Sequence, residues 1–138
     1  MEQLAVEIVG LCREYGECRV EVERMEEARR VKNALESVCS MARQRLDISD
    51  PALLLALLDA CEVTRDEGML QEVLDVVGRN LDRLAVSAES VKLLAYCYYY
   101  VEEEECAERA RRMLEELRKM GRGEEELADA ETILEELT

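Results

Sequence analysis

The chain has no histidine, no tryptophan and no phenylalanine, and a single proline among its 138 residues. The absence of histidine removes the commonest general base, proton shuttle and metal ligand together. Cys–His and Ser–His nucleophile systems cannot be built within this chain. The only aromatics are five tyrosines, so there are few surfaces on which a cofactor ring could stack. No Gly-rich phosphate loop and no calcium loop occurs. No cofactor and no catalytic activity are therefore expected. Lysine is scarce as well, with only Lys32, Lys92 and Lys119. Arginine interleaved with glutamate suits the ion-pair networks of heat-stable proteins, so a thermophilic source is an expectation to test.

What is abundant is acid. The net charge is −15. Binding to phosphate backbones needs clustered Lys and Arg, so direct nucleic-acid binding is not expected. Anionic membranes are disfavoured for the same reason. The uninterrupted apolar run Pro51–Leu58 is too short to span a bilayer. The opening MEQLAVEIVG lacks the basic start and long apolar middle of a secretory signal, so a cytoplasmic location is expected. The partners this charge suits are proteins or peptides, basic ones above all, with further copies of the chain as a second option.

With one proline, six glycines and a hydrophobic fraction of 49%, the chain reads as globular and helical. Its length suits one domain, 1–138. The first helix is predicted over Glu2–Tyr15, ended by Gly16. A long second helix is predicted over Cys18–Leu46, because the stripe Val22, Met25, Ala28, Val31, Leu35, Val38, Ala42 and Leu46 keeps phase. Asp50 can cap the next helix and Pro51 belongs at its first position. That third helix, to Val63, is apolar almost all round, so it must be covered on most sides. Thr64-Arg65-Asp66-Glu67 has the form of a capping box opening a fourth helix to Ala85.

Ser87 is the next cap, and Val91–Val101 is again apolar nearly all round. The acidic run Glu102–Glu105 is expected to be a turn, because the apolar face shifts across it. Gly121 and Gly123 end the sixth helix, and Leu127, Ala130, Leu134 and Leu137 mark a closing one from Glu124. The expected architecture is an all-α stack of about seven helices. It divides into a hairpin over 1–46, repeat-like hairpins over 50–85 and 87–121, and a closing helix over 124–138. From Asp50 to Ser87 is 37 residues, and another 37 reach Glu124. A period in the thirties with two helices per unit marks an α-solenoid, with an irregular bundle as the alternative.

In Val91–Leu117, Leu94-Ala95, then Tyr98 and later Ala107, fall at the spacing of the tetratricopeptide repeat, which the segment resembles. The resemblance implies close approach of two helices at Ala95 and Ala107 and a protein-binding role. Glu102 stands where that family usually carries glycine, Glu104 replaces an aromatic, and Arg111 replaces a large apolar residue. The family's clamp for a C-terminal carboxylate is not expected, since the third helix has no Lys, Arg or Asn.

Three sets of residues could carry function. Lys92, Tyr96 and Tyr99 share one helical face and could present flat amphipathic surface to a protein partner. The cysteines Cys12 and Cys18 flank the Gly16 turn, and Cys97 and Cys106 flank the acidic turn, so each pair could staple a hairpin. The default reading of the six cysteines is buried free thiols. Asp59 with Glu62 and Glu72 with Asp75 are acidic pairs at i, i+3 that could hold Mg²⁺. They faintly resemble the all-α nucleotide pyrophosphohydrolases, an unfavoured alternative beside solvated acidic faces. The favoured function is a non-catalytic protein-interaction or assembly module. An acidic small subunit of a nucleoprotein assembly, touching basic protein neighbours, is the alternative within binding roles.

Overall fold

A computed structural model describes residues 2–121, 128, 131, 132 and 134–136. The elements are α1 (Glu2–Cys18), a 3₁₀ turn at Val22–Arg24, α2 (Met25–Arg43), α3 (Pro51–Thr64), α4 (Glu67–Arg79), a 3₁₀ turn at Leu81–Arg83, α5 (Ala88–Val101) and α6 (Glu104–Lys119). The described residues of the closing segment are helical, and Leu134 is buried. Its other expected core positions, Leu127, Ala130 and Leu137, lie outside the described residues, as do Gly123 and Glu124. The fold is all-α with about seven helices. It forms two compact units, Met1–Val73 and Leu74–Thr138, with the boundary inside α4. No described helix is long and apolar enough to cross a membrane.

In the first unit α1 packs against both α2 and α3. Two sequence expectations fail here. Gly16 does not end α1, which runs on to Cys18; among the described glycines only Gly121 takes a positive φ, 67°, and it closes the turn after α6. The long second helix is broken as well. The chain doubles back between Cys18 and Met25 through an extended Glu21 (φ −111°, ψ 118°) and a 3₁₀ turn. Arg24 grips Glu27 there with two 2.9 Å hydrogen bonds. Val22 and Met25, expected in the stripe, are 83% and 61% exposed instead. Burial begins at Ala28 and continues through Val31, Leu35, Val38 and Ala42.

The α3 start is as the sequence reads it. Asp50 Oδ1 accepts the Leu53 N–H at 3.2 Å, and Pro51 opens the helix. The α4 start is not. Thr64 belongs to the last turn of α3, where its hydroxyl donates to the Ala60 carbonyl at 2.8 Å. Asp66 caps α4 by accepting the Met69 N–H at 3.0 Å. Two cap-type residues compete in Thr64-Arg65-Asp66, and the one beyond the left-handed Arg65 (φ 59°) wins. Helix α4 ends at Arg79, short of the expected Ala85.

The second helix pair is built in the same register as the first, displaced by 37 residues. The caps fall at Asp50 and Ser87, and α3 and α5 span 51–64 and 88–101. Left-handed residues follow at Arg65 and Glu102, and the next helices start at Glu67 and Glu104. Burial repeats as well: Leu53, Leu54, Ala56, Leu57, Leu58, Ala60 and Cys61 answer to Ser90, Val91, Leu93, Leu94, Ala95, Cys97 and Tyr98. In the second unit α5 and α6 pack closely, with Ala95 and Ala107 fully buried.

Two stability predictions follow from these termini. Ser87 Oγ accepts the Ser90 N–H at 3.1 Å and hydrogen-bonds the buried Ser90 hydroxyl at 3.0 Å. Ser87→Ala should therefore cost about 1–2 kcal/mol in urea denaturation. Arg65 holds a left-handed backbone with a β-carbon. Arg65→Gly should stabilise by on the order of 0.5–1 kcal/mol, read as a raised melting temperature.

Candidate functional site

Short of its last residue, helix α5 hides every side except one. Ser90, Val91, Leu93, Leu94, Ala95, Cys97 and Tyr98 are buried. Lys92 and Tyr96 are half-buried and Tyr99 is 56% exposed. Spacing of four and then three residues puts these last three on one edge. The Tyr99 ring meets the Tyr100 ring edge-on, with centroids 5.2 Å apart and planes at 79°. In this arrangement Tyr99 keeps more than half of its surface exposed. Val101, 40% exposed, ends the helix and lies about 160° around it from Tyr99.

The turn after α5 completes this surface. Glu102 takes φ 53° and its N–H closes the helix on the Tyr98 carbonyl at 2.8 Å. Glu103 is extended, and its carbonyl accepts the Cys106 N–H at 3.1 Å. Glu104 and Glu105 lie in the first turn of α6, where the helix dipole favours carboxylates. Glu104 also accepts a long hydrogen bond, 3.4 Å, from the buried Tyr98 hydroxyl and faces Arg111 at 3.7 Å. All four glutamates are exposed.

The cysteines are six free thiols. Cys12 and Cys18 cannot be stapled, because α1 carries both. Six residues apart on one helix, their α-carbons are separated by about 9 Å along the axis, beyond disulfide reach. Cys97 and Cys106 are buried on either side of the α5–α6 turn and unjoined. Burial is the main cause of every thiol shift. It pushes Cys12 up to about 11, helped by Asp59. Cys39 rises to about 11 and Cys61 to about 12, both helped by Asp66. Cys97 and Cys106 are raised as well.

Among the described residues no group of three or more Cys, Asp and Glu is placed to hold a metal ion. Burial, reinforced by Glu62, raises the Asp59 carboxyl. Glu72 is engaged elsewhere: Arg43 Nε and Nη2 donate to its two oxygens at 3.0 and 2.6 Å. Arg43 Nη1 adds a long contact to Asp66 at 3.4 Å. This cluster borders a cleft of about 420 Å³ lined by Glu36, Cys39, Ser40, Arg43, Thr64, Asp66 and Met69. Sequence reasoning missed it, because Arg43 and Glu72 lie 29 residues apart and no local pattern joins them.

Arg43 holds the Glu72 carboxyl below its ordinary value of 4.5, first through the hydrogen-bonded fork and then through charge. A depressed carboxylate stabilises the fold above its unfolded value, and that stability is lost as pH falls through the folded value. The two side chains keep 32% and 46% of their surface in water. The pair should therefore supply only about 0.5–1 kcal/mol. Glu72→Gln should flatten the loss of urea stability between about pH 5 and pH 3 and lower stability slightly at pH 7.

Compared with protein-family models, curated proteins and solved structures, the chain matches none.

Proposed function

We propose that the chain is a non-catalytic, tetratricopeptide-like helical-repeat module that binds a partner protein along the α5 edge. The observation that carries this reading is Tyr99, a ring more than half exposed on a helix whose other faces are buried. Tyrosine at the centre of such an edge supplies large contact area at low entropic cost. The repeat reading is supported by the 37-residue register shared by two helix pairs. That period lies between the tetratricopeptide period of about 34 and the HEAT period of about 40–47. Glu102 in the left-handed conformation, where that family usually has glycine, supports it further. The free thiols suit a reducing compartment such as the cytoplasm.

Self-association along this edge is disfavoured, because each copy carries a net charge of −15. The test is affinity capture from a lysate with wild type and Tyr99→Ala in parallel, both checked for helicity. A protein retained by wild type and lost by the variant is expected. Identical captured sets would refute the α5 edge as the binding surface.

A further inference from the structure

We infer that the partner of the α5 edge presents an arginine- or lysine-rich segment with apolar residues, its basic end at the α5–α6 turn. This rests on the protein-binding reading above and names the chemistry it selects. The edge has a direction. Lys92 lies at one end, Tyr96 and Tyr99 follow, and the exposed Glu102, Glu103 and Glu105 of the turn come at the other. From Lys92 to the end of the helix is about 14 Å, the length of about four extended residues, and the turn follows directly. One short segment can therefore touch the whole edge.

Each part of the edge suits such a segment. Tyr99, 56% exposed, offers an apolar floor for an aliphatic side chain or a guanidinium stem. The Tyr99 ring, set 5.2 Å from Tyr100 at 79°, stays 56% exposed, and an exposed aromatic ring can accept a cation. A guanidinium can stack on such a ring and fork onto a carboxylate, which an ammonium cannot do with the same geometry. Glu102 sits at the negative end of the α5 dipole, which deepens the negative potential there. The net charge of −15 steers a basic partner toward the chain from a distance and repels a second copy or a nucleic acid.

The experiment uses the full chain and two labelled peptides of equal length, one alternating Arg with Leu and one alternating Ser with Leu, read by fluorescence anisotropy. Three variants are compared: Tyr99→Ala; Glu102→Gln with Glu103→Gln and Glu105→Gln; and Glu7→Gln with Glu14→Gln and Glu17→Gln on α1. The two triple variants remove the same charge from different exposed places. The Arg–Leu peptide should lose about tenfold or more in affinity for the turn variant and for Tyr99→Ala, and less than about threefold for the α1 variant.

Equal losses in the two triple variants, equal affinity for the two peptides, or no binding of the Arg–Leu peptide would overturn the basic-segment inference. If the Ser–Leu peptide then binds and Tyr99→Ala weakens it, the α5 edge still binds protein and only the choice of partner was mistaken. If Tyr99→Ala changes neither peptide's binding, the edge itself fails.

Discussion

Leu57→Ala is expected to cost about 2–5 kcal/mol, a large share of the total stability of a domain this size. Leu57 is fully buried on α3, a helix with Leu53, Leu54, Ala56, Leu58, Ala60 and Cys61 also hidden. Covered on most sides, the site cannot collapse around the missing atoms, so a transfer loss and a cavity term add. The register predicts that Leu94→Ala on α5 behaves alike, since Leu94 is the residue 37 positions on and equally buried. Leu55 lies on the open edge of α3 and is only half-buried. Leu55→Ala should therefore cost about 1 kcal/mol or less. Urea denaturation of the three variants checks the ordering. Equal costs at Leu55 and Leu57 would mean that α3 has no open edge.

The second large effect concerns the thiols. Raising a thiol from its ordinary 9.0 to about 12, as for Cys61, lowers its thiolate fraction at pH 8 by roughly a thousandfold. For Cys12 and Cys39, at about 11, the factor is roughly a hundredfold. Cys12 is half-buried and the other five are buried. Alkylation of native, unreduced protein at pH 8 should therefore label Cys12 first, with the others waiting for unfolding. In urea all six should label together without reductant. The deprotonated form is the reactive one, so raising the pH should speed labelling in both states. Native labelling of Cys61 or Cys97 as fast as in urea would contradict the burial. Fewer than six labelled thiols in urea would restore the disulfide reading of Cys97 and Cys106.

The sequence made some boundaries legible because single residues dictate them. Asp50-Pro51 and Ser87 cap as their chemistry requires, and Gly121 terminates α6. The α5–α6 turn was visible only through the shift of the apolar face, since Glu102 offers no breaker. The equivalent turn at Arg65 was placed two residues early for the same reason: a left-handed arginine carries no signal, and Thr64 is as good a cap by type as Asp66. The α1–α2 connection was hidden because Val22 and Met25 continue the stripe's period although tertiary packing leaves them in water. Periodicity shows that a face exists but not that it is covered.

The candidate edge was legible from spacing, since Lys92, Tyr96 and Tyr99 fall on one side of α5. What the spacing could not give is their graded exposure and the edge-on contact of Tyr99 with Tyr100. The 37-residue register was legible at the caps alone. Leu54 and Val91, or Leu58 and Ala95, share burial without sharing identity, so residue matching finds little where burial finds a repeat.

Limited nitration of the native protein with tetranitromethane, mapped by mass spectrometry, tests most directly whether α5 is buried on every side except this edge. Tyr99 should be modified first, while Tyr98, buried and hydrogen-bonded to Glu104, stays protected until the protein unfolds. Modification of Tyr98 as fast as Tyr99, or a spared Tyr99, would contradict the account.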